Sequence, residues 1–130
     1  MQNWINFTLN NILFGYKHKK KIIVAPKSKA SLKFLNILVK EGIISGFSQI
    51  KQNKKLIIKL KWHHQKPPFT HFKNYNKPSL KRFISYRELI SLNYKLPGAV
   101  IIVTTADKGF INHKEAIKNK IGGKLICIIY

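Results

Sequence analysis

Acidic side chains are almost missing from this chain. Glu41, Glu88, Asp107 and Glu115 are the only four in 130 residues, against 25 lysines and arginines, for a formal net charge of +21. Their scarcity argues against acid–base or metal-dependent chemistry on paired carboxylates, which needs such groups held close together with tuned pKa values. Cysteine occurs once, at Cys127, so no internal disulfide can form. Apolar runs are short: the longest, around residues 99–103 and 125–130, have strand length and fall well below the roughly 18–20 residues that cross a bilayer. Arginine is limited to Arg82 and Arg87, so nearly all the cationic charge sits on lysine, which meets phosphate as a point charge without a bidentate fork. Phosphate-loop glycine spacing is absent as well, and Gly122-Gly123 follows a predicted helix instead of opening one.

What remains is a globular composition carrying a polycation. The hydrophobic fraction of 45% supplies a core. The unbalanced charge costs self-repulsion and contributes nothing to packing. A polyanionic partner accounts for it, because phosphate backbones bound by lysine release counterions with a large entropy gain. Lysine, isoleucine, asparagine and phenylalanine are all frequent, the signature of AT-rich coding.

Hydrophobic spacing gives the element order. Ile5, Leu9, Ile12 and Leu13 recur at helical period, with Gly15 as the expected C-cap and a basic loop over residues 16–21. A short strand at residues 22–25 stops at Pro26. Ser28 or Ser31 caps a second helix with Leu32, Leu35 and Val39 on one flank and Phe34 and Leu38 on the other, ended by Gly42. A strand at 45–51, a polar turn at 52–54 and a period-2 strand through Leu56, Ile58, Leu60 and Trp62 complete the first half. The His-His-Gln-Lys-Pro-Pro segment at 63–68 reads as a linker, since two prolines remove two backbone donors. Beyond it come an extended stretch at 69–75, a turn at 77–79, a return strand at 80–84 and a short helix at 86–92. A buried strand at 99–105 follows, then a helix opened by Asn112 with Glu115 and running to about Lys120. Gly122-Gly123 ends that helix, and a strand at 124–130 closes the chain. The fold class expected is α+β, two small packed α/β halves: 1–62 with two helices and a short sheet, and 69–130, β-rich with short helices.

Individual residues offer little chemistry. His18, His63, His64, His71 and His113 lack the cysteine or carboxylate company and the spacing of a zinc site, so no metal or other cofactor is expected. Cys127 reads as a small apolar residue on a buried strand. Phe69, Phe72 and Tyr75, interleaved with His71, Lys73 and Lys77, offer either a base-stacking surface or core, and core is the favoured reading.

Several motifs together resemble the family of small-subunit ribosomal protein eight. Thr104-Thr105-Ala106-Asp107-Lys108-Gly109 is similar to its Ser-Thr-Ser-x-Gly loop. Asn112-His113-Lys114-Glu115-Ala116 resembles the helix start near its Arg-Glu-Ala, and Gly122-Gly123-Lys124-Leu125-Ile126-Cys127 its Gly-Gly-Glu-Ile-x-Cys closing strand. Lys77-Pro78-Ser79-Leu80-Lys81 resembles a Lys-Pro-Gly-Leu-Arg turn. Pro26-Lys27-Ser28-Lys29 and Leu38-Val39-Lys40-Glu41-Gly42-Ile43-Ile44 resemble its Pro-x-Ser-Lys entry and Leu-x-x-Glu-Gly-Phe-Ile helix end. The resemblance implies a non-enzymatic constituent of the small ribosomal subunit that binds rRNA of the central domain and supports assembly and translation beside neighbouring small-subunit proteins. It implies no membrane association and no homo-oligomer. By position, the rRNA-binding residues expected are Lys27, Ser28, Lys29, Lys77, Pro78, Ser79, Lys81, Arg82, Thr105, Ala106, Asp107, Lys108, Gly109, Gly122, Gly123 and Lys124.

This chain departs from the family at Ala106 and Asp107, which replace hydroxyl residues, at Lys124, which replaces Glu, at Ser79, which replaces Gly, and at Phe83, where Tyr is common. The departures suggest recognition shifted toward shape and charge. The basic, AT-coded composition and an N-terminus unlike a transit peptide point to an organelle-encoded protein, mitochondrial in the first reading, with a plastid or an AT-rich bacterium as the alternative. The rival functions are a free-standing RNA-binding or RNA-chaperone module, supported by the charge alone, and a small nuclease, for which no carboxylate cluster is offered.

Overall fold

The computed structural model describes residues 3–50, 54–76 and 82–130. The chain divides into two compact units, Met1–Pro68 and Phe69–Tyr130, each mixing helices with an antiparallel sheet in an α+β arrangement. None of the described helices is long and apolar enough to cross a membrane.

The first unit runs α1 (Asn3–Lys17), β1 (Ile22–Pro26), α2 (Lys29–Lys40), β2 (Ile44–Ile50) and β3 (Lys55–Leu60), the predicted helix–strand–helix–hairpin. Its sheet has the order β1-β3-β2. Period-2 patterning sets the faces: Leu56, Ile58 and Leu60 are buried while Lys55 and Lys59 are exposed. The register pairs Ile23 with Ile58 and Ala25 with Leu56, so β1 turns its buried residues to the same side. Ile5, Leu9 and Ile12 of α1 and Phe34, Leu35 and Leu38 of α2 complete the core of this unit. In α2 the buried face is therefore 31/34/35/38, and the flanking Leu32 and Val39 are only half-buried.

Capping follows local chemistry. Ser28 and Ser31 are not alternatives but two halves of one box. The Ser28 hydroxyl accepts the Ser31 N–H at 3.0 Å, and the Ser31 hydroxyl accepts the Ser28 N–H at 2.7 Å. Gly42, at φ +78°, closes α2 as expected, with its N–H on Val39 O and the Ile43 N–H on Leu38 O.

The end of α1 corrects the sequence reading. Gly15 lies inside the helix, where an added Cβ would stand 2.7 Å from both Ile23 Cγ2 and Leu60 Cδ1; it is glycine because helix and sheet touch there. The left-handed residue that stops α1 is Lys19, at φ 55°. Tyr16 is likewise not a loop residue. It is buried, its hydroxyl donating to Ile43 O and accepting the Lys61 N–H at 3.1 Å. Burial pushes the phenol pKa up, partly opposed by the Lys61 hydrogen bond. Of the 52–54 turn only Lys54 is within the described residues.

The second unit runs β4 (Phe72–Asn74), β5 (Phe83–Ile84), α3 (Tyr86–Lys95), β6 (Val100–Thr105), β7 (Gly109–Asn112), α4 (His113–Lys118) and β8 (Gly123–Ile129). β8 is central, pairing with β4, β5 and β6, and β7 adds to β6. Leu89 of α3 and Ala116 of α4 pack with Ile101, Val103, Ile111 and Leu125 of the sheet. Helix α3 outruns the expected Leu92 because no breaker intervenes before Pro97. The β7 strand was not anticipated: Gly109, Phe110 and Ile111 are too short a run to declare a strand without its partner. Asn112 caps α4 by accepting the Glu115 N–H at 2.9 Å. Its other end is made by Lys120, at φ 56°, with the Ile121 N–H on Ala116 O, so Gly122-Gly123 does not terminate the helix. The buried His113 ring accepts the Ile101 N–H through Nδ1 at 3.3 Å, and Cys127 is fully buried, its thiol pKa raised by desolvation.

Candidate nucleic-acid interface

Strand β6 turns back into β7 through Ala106, Asp107 and Lys108, with Thr105 paired to Gly109. The Thr105 hydroxyl accepts the Lys108 N–H at 3.0 Å, and Gly109 adopts φ +68°, the left-handed step that closes a three-residue hairpin. Ala106, Asp107 and Lys108 are thereby pushed into solvent. The stretch expected as a loop is thus a tight turn with its shape fixed by the Thr105 hydroxyl and a left-handed glycine.

Gly122 and Gly123 build the floor beside it. A Cβ at Gly123 would stand 2.6 Å from Thr104 O and 3.2 Å from Thr105 Cγ2; one at Gly122 would collide with Ile84 O and the Ser85 backbone. Glycine at both positions lets β5, β8 and β6 converge. The register then places Phe83, Lys124 and Thr104 side by side across three strands, because Lys124 pairs with Phe83 on one side and Thr104 on the other. Phe83 is 70% exposed. Around these residues lies an open groove of about 620 Å³, also bordered by Ser85, Glu88, Asp107, Lys108 and Ile121. The Ser85 hydroxyl caps α3 by accepting the Glu88 N–H at 3.2 Å and donates to Glu88 Oε1.

Two lysines and two carboxylates line this groove. Its charge is therefore mixed, although the chain as a whole is strongly cationic. What it offers a ligand is shape: exposed turn backbone, a glycine floor and one exposed aromatic ring.

The structure brings Thr105, Ala106, Asp107, Lys108, Gly109, Gly122, Gly123 and Lys124 into one site. Lys27, Ser28 and Lys29 belong to the first unit, at the start of α2. There Lys27 Nζ donates to Gln49 Oε1 at 2.9 Å, Ser28 is occupied as a cap, and Lys29 is exposed. Arg82 is exposed, with its guanidinium 5.3 Å from the Tyr75 ring, and its carbonyl accepts the Leu125 N–H. Lys77, Pro78, Ser79 and Lys81 lie outside the described residues. Sequence reasoning missed Thr104, Ser85 and Glu88, whose proximity depends on strand register. Phe69, Phe72 and Tyr75 are all half-buried, and of the three it is Tyr75 that packs against the core cluster, so the core reading holds there alone.

Comparison with known proteins adds an independent line. The family model described as Ribosomal protein S8 matches residues 4–130. A small ribosomal subunit protein uS8 from Sulfurihydrogenibium sp. is 32% identical over 130 residues, covering 94% of this chain and 91% of the relative. The uS8 of Mycoplasmopsis pulmonis is also 32% identical, over 124 residues, covering 94% and 92%. The uS8c of Marchantia polymorpha is 29% identical over 133 residues, covering 96% and 98%.

Proposed function

Given that this chain belongs to the ribosomal protein S8 family, whose members are structural constituents of the small ribosomal subunit and not enzymes, we propose that it binds folded small-subunit rRNA of the central domain through the second-unit groove. The observation that carries the reading is the convergence of the 105–109 turn on Gly122 and Gly123. The exposed 106–108 turn and the side-chain-free Gly122 and Gly123 border one open groove, so a sugar–phosphate strand can lie against them. Lys108 and Lys124 neutralise phosphate there, and Phe83 packs on a base or ribose. Lys27 and Lys29, with the basic 77–82 segment, extend the contact. The partners are rRNA and neighbouring small-subunit proteins.

The compartment we propose is a mitochondrion. Its support is composition: 25 basic residues with only Arg82 and Arg87 as arginine, the mark of an AT-rich genome. The relatives named above come from bacteria and a plant, which keeps a plastid or bacterial source as the comparison case. Organelle fractionation followed by sucrose-gradient sedimentation tests both statements. Co-migration with the mitochondrial small subunit in a low-salt gradient is expected, and free protein at the top of that gradient refutes the ribosomal role. In filter binding, about 6–10 phosphate contacts would lower affinity by roughly 10³–10⁵ between 50 and 200 mM salt, by analogy with duplex DNA.

A further inference from the structure

One face of the first unit's sheet carries its core; the other turns outward and is not polar. Register fixes which residues share that outer face. Val24 of β1 pairs with Ile57 of β3, and Ser48 of β2 pairs with Ile57 from the other side. The row on one side of these is Ile22, Lys59 and Gly46, and the row on the other is Pro26, Lys55 and Ile50. Alternation sends Ile23 and Ile58 to the core side, where Gly15 of α1 meets Ile23 and Leu60. Ile22 and Val24 are left 52% and 46% exposed. Ile57 is half-buried, and Lys55 and Lys59, two residues to either side of it along β3, are exposed. None of the four acidic residues falls on the three strands.

Strand propensity does not account for this face, because threonine satisfies the same backbone preference without leaving apolar area in water. Single apolar residues are ordinary on a surface. Here Ile22, Val24 and Ile57 adjoin one another, with cations beside them and no anion. An apolar centre with a charged rim is the anatomy of a protein–protein contact. RNA laid on a sheet is held by aromatic rings that stack on its bases, and these three rows hold no aromatic ring. The Trp and Tyr anchors of a bilayer surface are missing from them equally. Strand addition at β1 is opposed, since Asn11 Nδ2 donates to Val24 O at 3.2 Å and takes that acceptor. A partner therefore lies across the face and not along this edge. We propose that the outer face of β1 and β3 docks a polypeptide segment whose apolar stripe covers Ile22, Val24 and Ile57 and whose Asp or Glu residues meet Lys55 and Lys59. The inference deepens the reading of neighbouring small-subunit proteins as partners and rests on the ribosomal role for where that segment is found. It does not involve the groove.

The full chain with the photoreactive residue p-benzoylphenylalanine in place of Ser48, beside Ile57, is irradiated in an organelle extract; the same probe in place of Lys29 on α2 is the control. Position 48 should give a protein adduct that resists ribonuclease, sediments with the small subunit and maps to a segment where apolar residues are flanked by Asp or Glu. Val24→Thr with Ile57→Thr should lower its yield about tenfold. The urea midpoint should stay in place, because both side chains face outward and threonine keeps the β-branch. Lys55→Gln with Lys59→Gln should lower the yield about threefold. These lysines are exposed, so the second pair keeps the test decisive even where the threonine pair moves the midpoint. An unaltered yield in the lysine pair, or in a stably folded threonine pair, overturns the inference. So does a ribonuclease-sensitive adduct, a lipid adduct, an adduct with a second copy of this chain, a segment without acidic residues, equal labelling from position 29, or no adduct. Each of these outcomes leaves the ribosomal role standing. The acidic protein adduct found at the top of the gradient, away from the small subunit, overturns that role and leaves the docking face intact.

Discussion

In the 105–109 turn the shaping is local: a bond from the Lys108 amide to the Thr105 hydroxyl, a left-handed glycine, and two further glycines where any Cβ would strike a neighbouring carbonyl. In the 17–21 turn the corresponding left-handed step is taken by a lysine, and side chains of Tyr16 and Trp62 hold the turn from beneath. The first surface is nearly neutral in its lining, the second almost purely cationic. Ala106, Asp107 and Lys108 stand at a solvent-exposed tip, whereas Gly122 and Gly123 sit inside the strand junction. Side chains at an exposed tip are free to change while the shape beneath them survives; a Cβ inside the strand junction is not.

The strongest test of that contrast is Gly123→Ala. With Thr104 O in the way, β8 must move from β6, and we expect a loss of about 1–3 kcal/mol in urea unfolding together with weakened rRNA binding. An unshifted urea midpoint would refute the steric argument. Tyr16→Phe probes the base of the lysine turn. It strips the buried Ile43 carbonyl and the Lys61 N–H of their partner, at a cost of about 1–3 kcal/mol. Its pH dependence has a definite sign. The folded phenol has a raised pKa, chiefly from desolvation, so the unfolded state ionises first and stability falls as pH climbs above the ordinary value of 10.0. That component is missing from the Phe variant, so the gap between the two proteins should narrow at alkaline pH. Trp62→Phe removes the bond to Lys20 O while keeping an aromatic ring beside Tyr16, and about 0.5–1.5 kcal/mol should be lost; the diagnostic is faster amide exchange centred on residues 17–21. Smallest is Asp107→Asn. Deleting an exposed carboxylate near phosphate should improve rRNA affinity by roughly 0.5–1 kcal/mol, two- to fivefold. Weaker binding instead would mean that Asp107 accepts from a base.

Sequence alone determined the element order of the first unit, the alternation on β3, the start of α2 at Ser28 or Ser31, the cap at Asn112 and the polyanionic partner class. Each depends on neighbours in the chain or on summed charge, so each is legible locally. The family motifs likewise located the 105–109 and 122–124 segments. Tertiary structure decided the rest, because pairing between distant strands has no local signature. The Gly15 contact with Ile23 and Leu60 is invisible until helix meets sheet, and Gly122 and Gly123 resemble a helix stop until β5 and β6 close on either side. Lys19 and Lys120 took the left-handed steps that glycine rules assign to glycine, a choice favoured only when the packed ends of α1 and α4 over-determine the backbone. Phe83, Lys124 and Thr104 became neighbours through register, which a chain read in one dimension does not contain.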